Sequence, residues 1–189
     1  MAEQACGFVA VLGAPNAGKS TLVNRLVGTK VSIVSPKVQT TRNRVIGIAM
    51  AGDAQIVFID TPGVFAPKKR LERAMVSAAW SGARDADHVL VLIDAKRGLD
   101  KHSRLIVEHL RESRRQAILA INKIDTVARE SLLALAASLA AETLADGREM
   151  FGQTFMISAL TGDGVDDLQA ALVAHMPAGP WHYPADQAA

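Results

Sequence analysis

Between Gly13 and Ser20 the chain reads Gly-Ala-Pro-Asn-Ala-Gly-Lys-Ser, with an apolar run from Val9 to Leu12 before it and Thr21-Leu22-Val23-Asn24 after it. This is G-x-x-x-x-G-K-S set between a predicted strand and a predicted helix, the context in which that spacing has chemical meaning. Gly13 and Gly18 let the backbone curl around a phosphate with no side chain in the way. The N–H groups of the loop and the positive end of the helix then face the anion. Lys19 brings a full charge to the outer phosphates. The Ser20 hydroxyl suits one site on Mg²⁺, an ion that keeps most of its waters and takes few protein ligands. Gly13, Ala14, Pro15, Asn16, Ala17, Gly18, Lys19, Ser20 and Thr21 are therefore the candidate phosphate cradle. The plainer reading of the same residues is a glycine turn with a surface lysine.

Other residues fit the same chemistry at a distance. Asp60-Thr61-Pro62-Gly63 follows the apolar run Ala54 to Ile59, and an acid at the carboxyl end of a buried strand sits where open α/β sheets bind ligands. Asp60 could reach Mg²⁺, and the Gly63 N–H could meet a γ-phosphate; alone, the tetrapeptide is an ordinary turn. Asn122-Lys123-Ile124-Asp125 follows the run Ala117 to Ile121. A guanine ring offers an N1–H and an exocyclic amine side by side, and the two oxygens of Asp125 match that pair. An adenine edge offers no such pair. Asn122 can tie this loop to the phosphate loop, the Lys123 stem can lie along the base, and in Ser158-Ala159-Leu160 the Ala159 N–H is placed to meet guanine O6. The polar stretch of residues 30–42 has no period, and Pro36 breaks any long element there. It is either a plain surface connection or a segment that Thr40 and Thr41 order around a γ-phosphate and Mg²⁺. Lys68-Lys69-Arg70 is a solvated basic face or a phosphate contact.

The elements that must hold these residues alternate. Strands are predicted at Val9–Leu12, Arg44–Met50, Ala54–Ile59, Asp87–Ile93, Ala117–Ile121 and Thr154–Ile157. Helices are predicted at Thr21–Val27, Leu71–Ala83, Ser103–Ser113, Glu130–Leu144 and Val165–His175. Gly52-Asp53 marks a hairpin between the second and third strands. The pattern implies an α/β fold: a mostly parallel sheet with one antiparallel edge strand and helices on both faces. Residues 1–176 read as one domain, and residues 177–189, rich in proline and glycine, as a linker or a frayed tail.

Composition sets the outer bounds. The chain has 189 residues, of which 49% are hydrophobic and 21% charged, which suits one domain with a proper core. A net charge of +2 does not by itself argue for nucleic acid. Cys6 is the single cysteine, so no intrachain disulfide forms, which fits a reducing compartment. No apolar run approaches the roughly 20 residues that span a bilayer. The expectation is a soluble cytoplasmic protein.

Taken together, Gly13–Ser20, Thr40-Thr41, Asp60–Gly63, Asn122–Asp125 and Ser158–Leu160 resemble the five motifs of translation-factor-type GTPases. The finer wording is similar to the Era-like subfamily: Gly13 to Asn24, Val38-Gln39-Thr40-Thr41-Arg42, Asp60-Thr61-Pro62-Gly63-Val64-Phe65, and Gly179-Pro180-x-x-Tyr183-Pro184. The resemblance covers nearly the whole chain. It implies a three-layer P-loop NTPase fold and a switch that hydrolyses GTP to GDP and phosphate in 16S rRNA processing and small ribosomal subunit assembly. It also implies a monomer, cytoplasmic with a pool peripheral to the inner membrane. Ser20, Thr41 and Asp60 would hold Mg²⁺. Thr41 is preferred over Thr40 because related proteins place the metal-binding threonine directly before the arginine. Lys19, Thr41, Gly63 and Asn16 become the candidates for catalysis, and the Thr41 segment and residues from Pro62 to about Met75 the two switches.

A point of catalysis and one departure qualify the resemblance. Val64 stands where Ras has its water-positioning glutamine, so another group must hold the attacking water. In similar GTPases an asparagine at the place of Asn16 helps to hold K⁺, which substitutes for an arginine finger; the plainer reading is that Asn16 caps its own loop. Era-type proteins also carry a KH domain that binds the 3′ end of 16S rRNA, and no G-x-x-G loop follows Pro184. The chain therefore reads as the GTPase half, with direct sequence-specific RNA binding doubtful. The alternative function is a nucleotide-gated docking module with negligible turnover. A third, an ATPase, is opposed by Asp125.

Overall fold

Among the described residues, each apolar run becomes a strand and each amphipathic run a helix. The computed structural model describes residues 4–28, 44–60 and 85–184, with Arg44 and Asp60 described by their backbone. Along the chain come β1 (Ala5–Gly13), α1 (Lys19–Val27), β2 (Arg44–Ala51), β3 (Ala54–Asp60) and β4 (His88–Asp94). They are followed by α2 (Lys101–Ser113), β5 (Ala117–Asn122), a 3₁₀ turn (Ile124–Thr126), α3 (Arg129–Ala140), β6 (Phe151–Met156) and α4 (Val165–Ala174). The expected helix at Leu71–Ala83 and the stretch 30–42 lie outside the described residues.

The six strands form one sheet in the order β2-β3-β1-β4-β5-β6. β2 pairs antiparallel with β3 through the expected hairpin, and the other pairings are parallel. Alternation along β1 divides the core in two, because successive side chains leave opposite faces. Val9 and Val11 pack with Leu22, Val23 and Leu26 of α1 and Leu168 and Leu172 of α4. Ala10 and Leu12 pack with Ile106, Val107 and Leu110 of α2 and Leu132 and Leu139 of α3. The predicted layers are those observed. No helix among the described residues is long and apolar enough to cross a membrane.

Besides the last strand, which begins at Phe151 rather than Thr154 and ends at Met156 rather than Ile157, two stretches differ from their sequence reading. The alanine-rich helix ends at Ala140 rather than Leu144. Arg111 explains the early stop: its Nε donates to Thr143 O at 3.1 Å and its guanidinium pairs with Glu142, while Thr143 bridges Glu149. Leu144 is still buried, but from a turn. The second is the tail. Residues 177–184 are neither frayed nor free of the domain, since they run along the β1–β3 side of the sheet. Cys6 N–H donates to Pro177 O at 3.0 Å and Gly179 N–H to Gln4 O at 2.9 Å. Gln55 clasps the tail with both ends of its amide: Nε2 donates to Tyr183 O at 2.8 Å, and Oε1 accepts from Tyr183 N–H at 3.0 Å. Proline and glycine marked this stretch as irregular, but irregular backbone can still be fixed where a buried side chain meets its N–H and C=O groups.

Candidate functional site

The parallel strands end together, and register brings the motif residues to one edge. Val11 pairs with Asp60 across β1 and β3, Gly13 with Leu92 across β1 and β4, and Asp94 with Asn122 across β4 and β5. β1 lies between β3 and β4, so the chain leaves it toward opposite sides of the sheet. The crevice beyond such a switch point is where open α/β sheets take ligands.

The loop from Gly13 to Gly18 is shaped from outside. Asn16 has φ 63° and Gly18 φ 100°, both left-handed. Asparagine is among the few non-glycine residues that tolerate that region. Gly18 has a second constraint, because a Cβ there would collide with Nδ2 of Asn122. The loop carbonyls are each held by a donor. Lys19 Nζ reaches Gly13 O at 2.8 Å and Ala14 O at 3.2 Å. Arg97 Nη1 donates to Pro15 O at 3.1 Å, Lys123 Nζ to Asn16 O at 2.6 Å, and Asn122 Nδ2 to Ala17 O at 2.8 Å. With its oxygens engaged in this way, the loop can turn N–H groups toward an anion. Ser20 and Thr21 are exposed in the first turn of α1, where the helix N–H groups have no intrahelical acceptor.

Asn122 joins the two halves of the site. It is 1% exposed, and while Nδ2 holds Ala17, its Oδ1 accepts from Ala159 N–H at 2.9 Å. The N–H expected to meet guanine O6 is thus engaged by Asn122 in this structure. Asp125 lies exposed in the 3₁₀ turn after Lys123, whose φ is 67°. Ile124 N–H donates to Ile157 O at 3.3 Å, which places that turn beside Ser158. Ser158 and Ala159 are buried, and Leu160 is 73% exposed.

Three residues outside the motifs complete the arrangement. Asp94, buried at the end of β4, accepts at Oδ1 from the N–H groups of Lys96 and Arg97 at 2.9 and 3.2 Å. Its Oδ2 pairs with Lys123 Nζ at 2.7 Å. Burial pushes its carboxyl pKa up, but the bonds from Lys123 and from the N–H groups of Arg97 and Lys96 outweigh burial and hold it below the usual carboxylate value. Arg97 is steadied by Asp100 at 3.2 Å. Arg25 grips the Ser158–Leu160 turn from α1. Asp94 had a readable signal, an acid closing a buried apolar strand, the same signal that picks out Asp60. Arg25 and Arg97 had none, because their partners are backbone carbonyls.

Ser20 is the described residue of the expected Mg²⁺ set, and its place at the start of α1 beside the phosphate loop fits that role. Thr40, Thr41, Thr61, Pro62, Gly63, Val64 and the side chain of Asp60 lie outside the described residues, as does Lys68–Arg70. Among the described residues no group of three or more His, Cys, Asp or Glu side chains could hold a metal by itself.

Comparison with known proteins gives a consistent picture. A family model described as 50S ribosome-binding GTPase matches residues 8–123. A protein named GTPase Era from a Bradyrhizobium species is 59% identical over 186 residues, which is 98% of this chain and 58% of that protein. GTPase Era of Rhizobium meliloti is 57% identical over 181 residues, 96% of this chain and 56% of that protein. The chain thus spans under three fifths of the length of these relatives. Among solved structures, a variant of Aquifex aeolicus Era bound to GDP and AlF₄⁻ superposes with a TM-score of 0.76 at 37% identity, covering 97% of this chain and 61% of that one. An Era complex with MgGDPNP and nucleotides 1506–1542 of 16S ribosomal RNA gives 0.77 at 37% identity, with the same coverage of both chains. On the family match, with the motif order and the sheet that carries it, this chain belongs to the 50S ribosome-binding GTPases and, within them, to the Era type.

Proposed function

We propose that this chain binds guanine nucleotide at the carboxyl edge of its sheet and hydrolyses GTP as a molecular switch for small ribosomal subunit assembly and 16S rRNA processing. The observation that carries this reading is Asn122, which bonds the phosphate loop through Ala17 and the base loop through Ala159. A single buried side chain thereby sets the distance between a phosphate cradle and a base pocket. Asp125 is exposed beside that pocket, with no hydrogen bond or ion pair of its own among the described residues, and its two acceptor oxygens complement the guanine N1–H and amine. That edge disfavours adenine, whose approach would desolvate the carboxylate without a partner.

The chain's own residues divide the work. Loop N–H groups toward the start of α1 orient the phosphates, and Lys19 places a cation against the outer ones. Ser20, with Thr41 and Asp60, would hold Mg²⁺. Held there, the ion would supply positive charge against the phosphates. Gly63 would offer its N–H to the γ-phosphate. Val64 cannot orient the attacking water as a glutamine does, so positive charge near the phosphates carries more of the barrier. Asn16 is exposed in the phosphate loop, a place from which its side-chain oxygen can take part in holding K⁺. An Era protein was crystallised with MgGDPNP and a 16S rRNA fragment, which supports a role on the ribosome. In the full-length family the resemblance assigns most RNA contact to the KH domain.

Isothermal titration with GDP, GTP and ATP tests the base pocket: micromolar or tighter guanine binding with ATP rejected is expected, and equal affinity for ATP refutes it. Single-turnover hydrolysis with and without small ribosomal subunits separates a hydrolysing switch from a docking module, which would bind GTP and leave it intact in both.

A further inference from the structure

Arg25 belongs to none of the motifs, yet it holds the turn that presents the Ala159 N–H. It sits in the last turn of α1, the helix whose first residues form part of the phosphate loop. Its Nε donates to Ala159 O at 2.6 Å and its Nη2 to Leu160 O at 2.5 Å. Two donors of one planar guanidinium on two consecutive carbonyls fix the two adjacent peptide units on either side of Leu160. Gly162 leaves room for that grip: its φ is 100°, and a Cβ on it would lie 2.9 Å from Arg25 Nη1. The same turn is closed from within by Gly162 N–H on Ser158 O at 2.8 Å and Thr161 N–H on Ser158 Oγ at 3.2 Å.

A cation in the last turn of a helix also complements the helix dipole, which is the ordinary reason to find one there. Here the guanidinium leaves its own helix and bonds a segment more than a hundred residues away in sequence. Its two acceptors are the carbonyls of the two peptide units that follow the Ala159 N–H. Asp125 lies on another loop, the 3₁₀ turn after β5, and Arg25 makes no bond to it. Arg25 thus acts from the α1 side on the Ala159–Leu160 stretch alone, while Asn122 and the Ile124–Ile157 bond join that stretch to the Asp125 turn.

We infer that Arg25 is a specificity-determining positioning residue: through the carbonyls of Ala159 and Leu160 it sets the contact of the Ala159 N–H with the guanine O6, without bonding the turn that brings Asp125 to the N1–H and amine. This assignment rests on the guanine-pocket reading above.

Three diphosphates separate the contacts. GDP makes both. Inosine diphosphate lacks the amine and keeps O6. 6-Thioguanosine diphosphate keeps the N1–H and amine but carries sulfur, a weak acceptor, in place of O6. Affinities are measured by calorimetry for the parent chain, for Arg25→Gln, and for Arg25→Met, which keeps an unbranched stem on α1. The parent chain should prefer GDP over the thio form by about three- to tenfold, the worth of one neutral hydrogen bond. In both variants that preference should fall close to one, while the preference for GDP over inosine diphosphate stays as in the parent. A loss falling equally on all three nucleotides makes Arg25 a general support of the fold and overturns the assignment. So does a parent chain that does not distinguish oxygen from sulfur. A parent chain that binds ADP as well as GDP refutes the guanine pocket itself, and the assignment falls with it.

Discussion

Nδ2 of Asn122 occupies the space that a Cβ on Gly18 would need. The contact is what lets Asn122 reach Ala17 O at 2.8 Å, and it makes the second glycine of the phosphate loop necessary for steric reasons beyond its φ of 100°. Gly18→Ala should lower stability by about 1–3 kcal/mol from backbone strain and steric displacement together. It should also abolish measurable GDP binding. A thermodynamic cycle with Asn122→Ala, followed by chemical denaturation, checks the origin of the loss. The clash is relieved in the double variant and the strain is not, so the two changes should be clearly less than additive. Additive losses would mean that Asn122 and Gly18 do not compete for space.

Asp125→Asn tests base selection. An amide in place of the carboxylate sets donor against donor at the guanine edge. Each charge-assisted bond lost is worth about 1.5–3 kcal/mol, so GTP affinity should fall by at least tenfold while xanthosine triphosphate gains. Unchanged GTP binding by the variant would remove Asp125 from the pocket.

Asp94 gives a pH test with a defined sign. Its folded pKa is depressed by Lys123 and by the N–H groups of Arg97 and Lys96, against the upward push of burial. A depressed carboxylate contributes stability above its unfolded pKa, near 3.9, and loses it as the pH falls through the folded value. Asp94→Asn can still accept from Lys96 and Arg97 but loses the ion pair. The stability gap between parent and variant should be constant from about pH 5 to 8 and should shrink below about pH 4. Urea denaturation across that range measures it. A gap that widens on acidification contradicts the ion pair as drawn.

Asn16 has a conformational reason to be asparagine, its φ of 63°, besides the proposed reason of a K⁺ ligand. Asn16→Gly separates them, because glycine accepts the same backbone without an oxygen. If the side chain helps to hold K⁺, turnover in the parent should be faster in K⁺ than in Na⁺ at equal ionic strength. The variant should lose that difference and keep its GDP affinity. A variant that retains the K⁺ effect leaves Asn16 a purely conformational role.

The tail is a matter of stability. Gln55 is fully buried and meets both backbone groups of Tyr183, while its Oε1 also accepts from Cys6 Sγ–H at 3.4 Å. Gln55→Leu would leave the Tyr183 N–H and C=O without those partners, at a cost of about 1–3 kcal/mol for each group that stays buried. The expected outcome is a lower unfolding temperature with GDP affinity unchanged. No shift in unfolding temperature would show that the tail does not contribute to the folded domain.

The sequence alone determined the order of strands and helices among the described residues, the hairpin and the sheet class, and it singled out the motifs from Gly13–Ser20 to Ser158–Leu160. These were readable because each rests on local chemistry: apolar runs, glycines that a tight loop needs, and a lysine, a serine and carboxylates at strand ends. The tertiary structure decided what those residues touch. Asn122 was expected to reach the phosphate loop, but its hold on the Ala159 N–H appears once β5 and β6 are side by side. Arg25 and Arg97 were silent, since a side chain that bonds a distant carbonyl leaves no pattern in the residue it meets. The tail misled for the same reason. Its proline and glycine reported irregular backbone truthfully, but whether irregular backbone is loose or fixed depends on Gln55, more than a hundred residues earlier in the chain, and proximity across that separation exists only after folding.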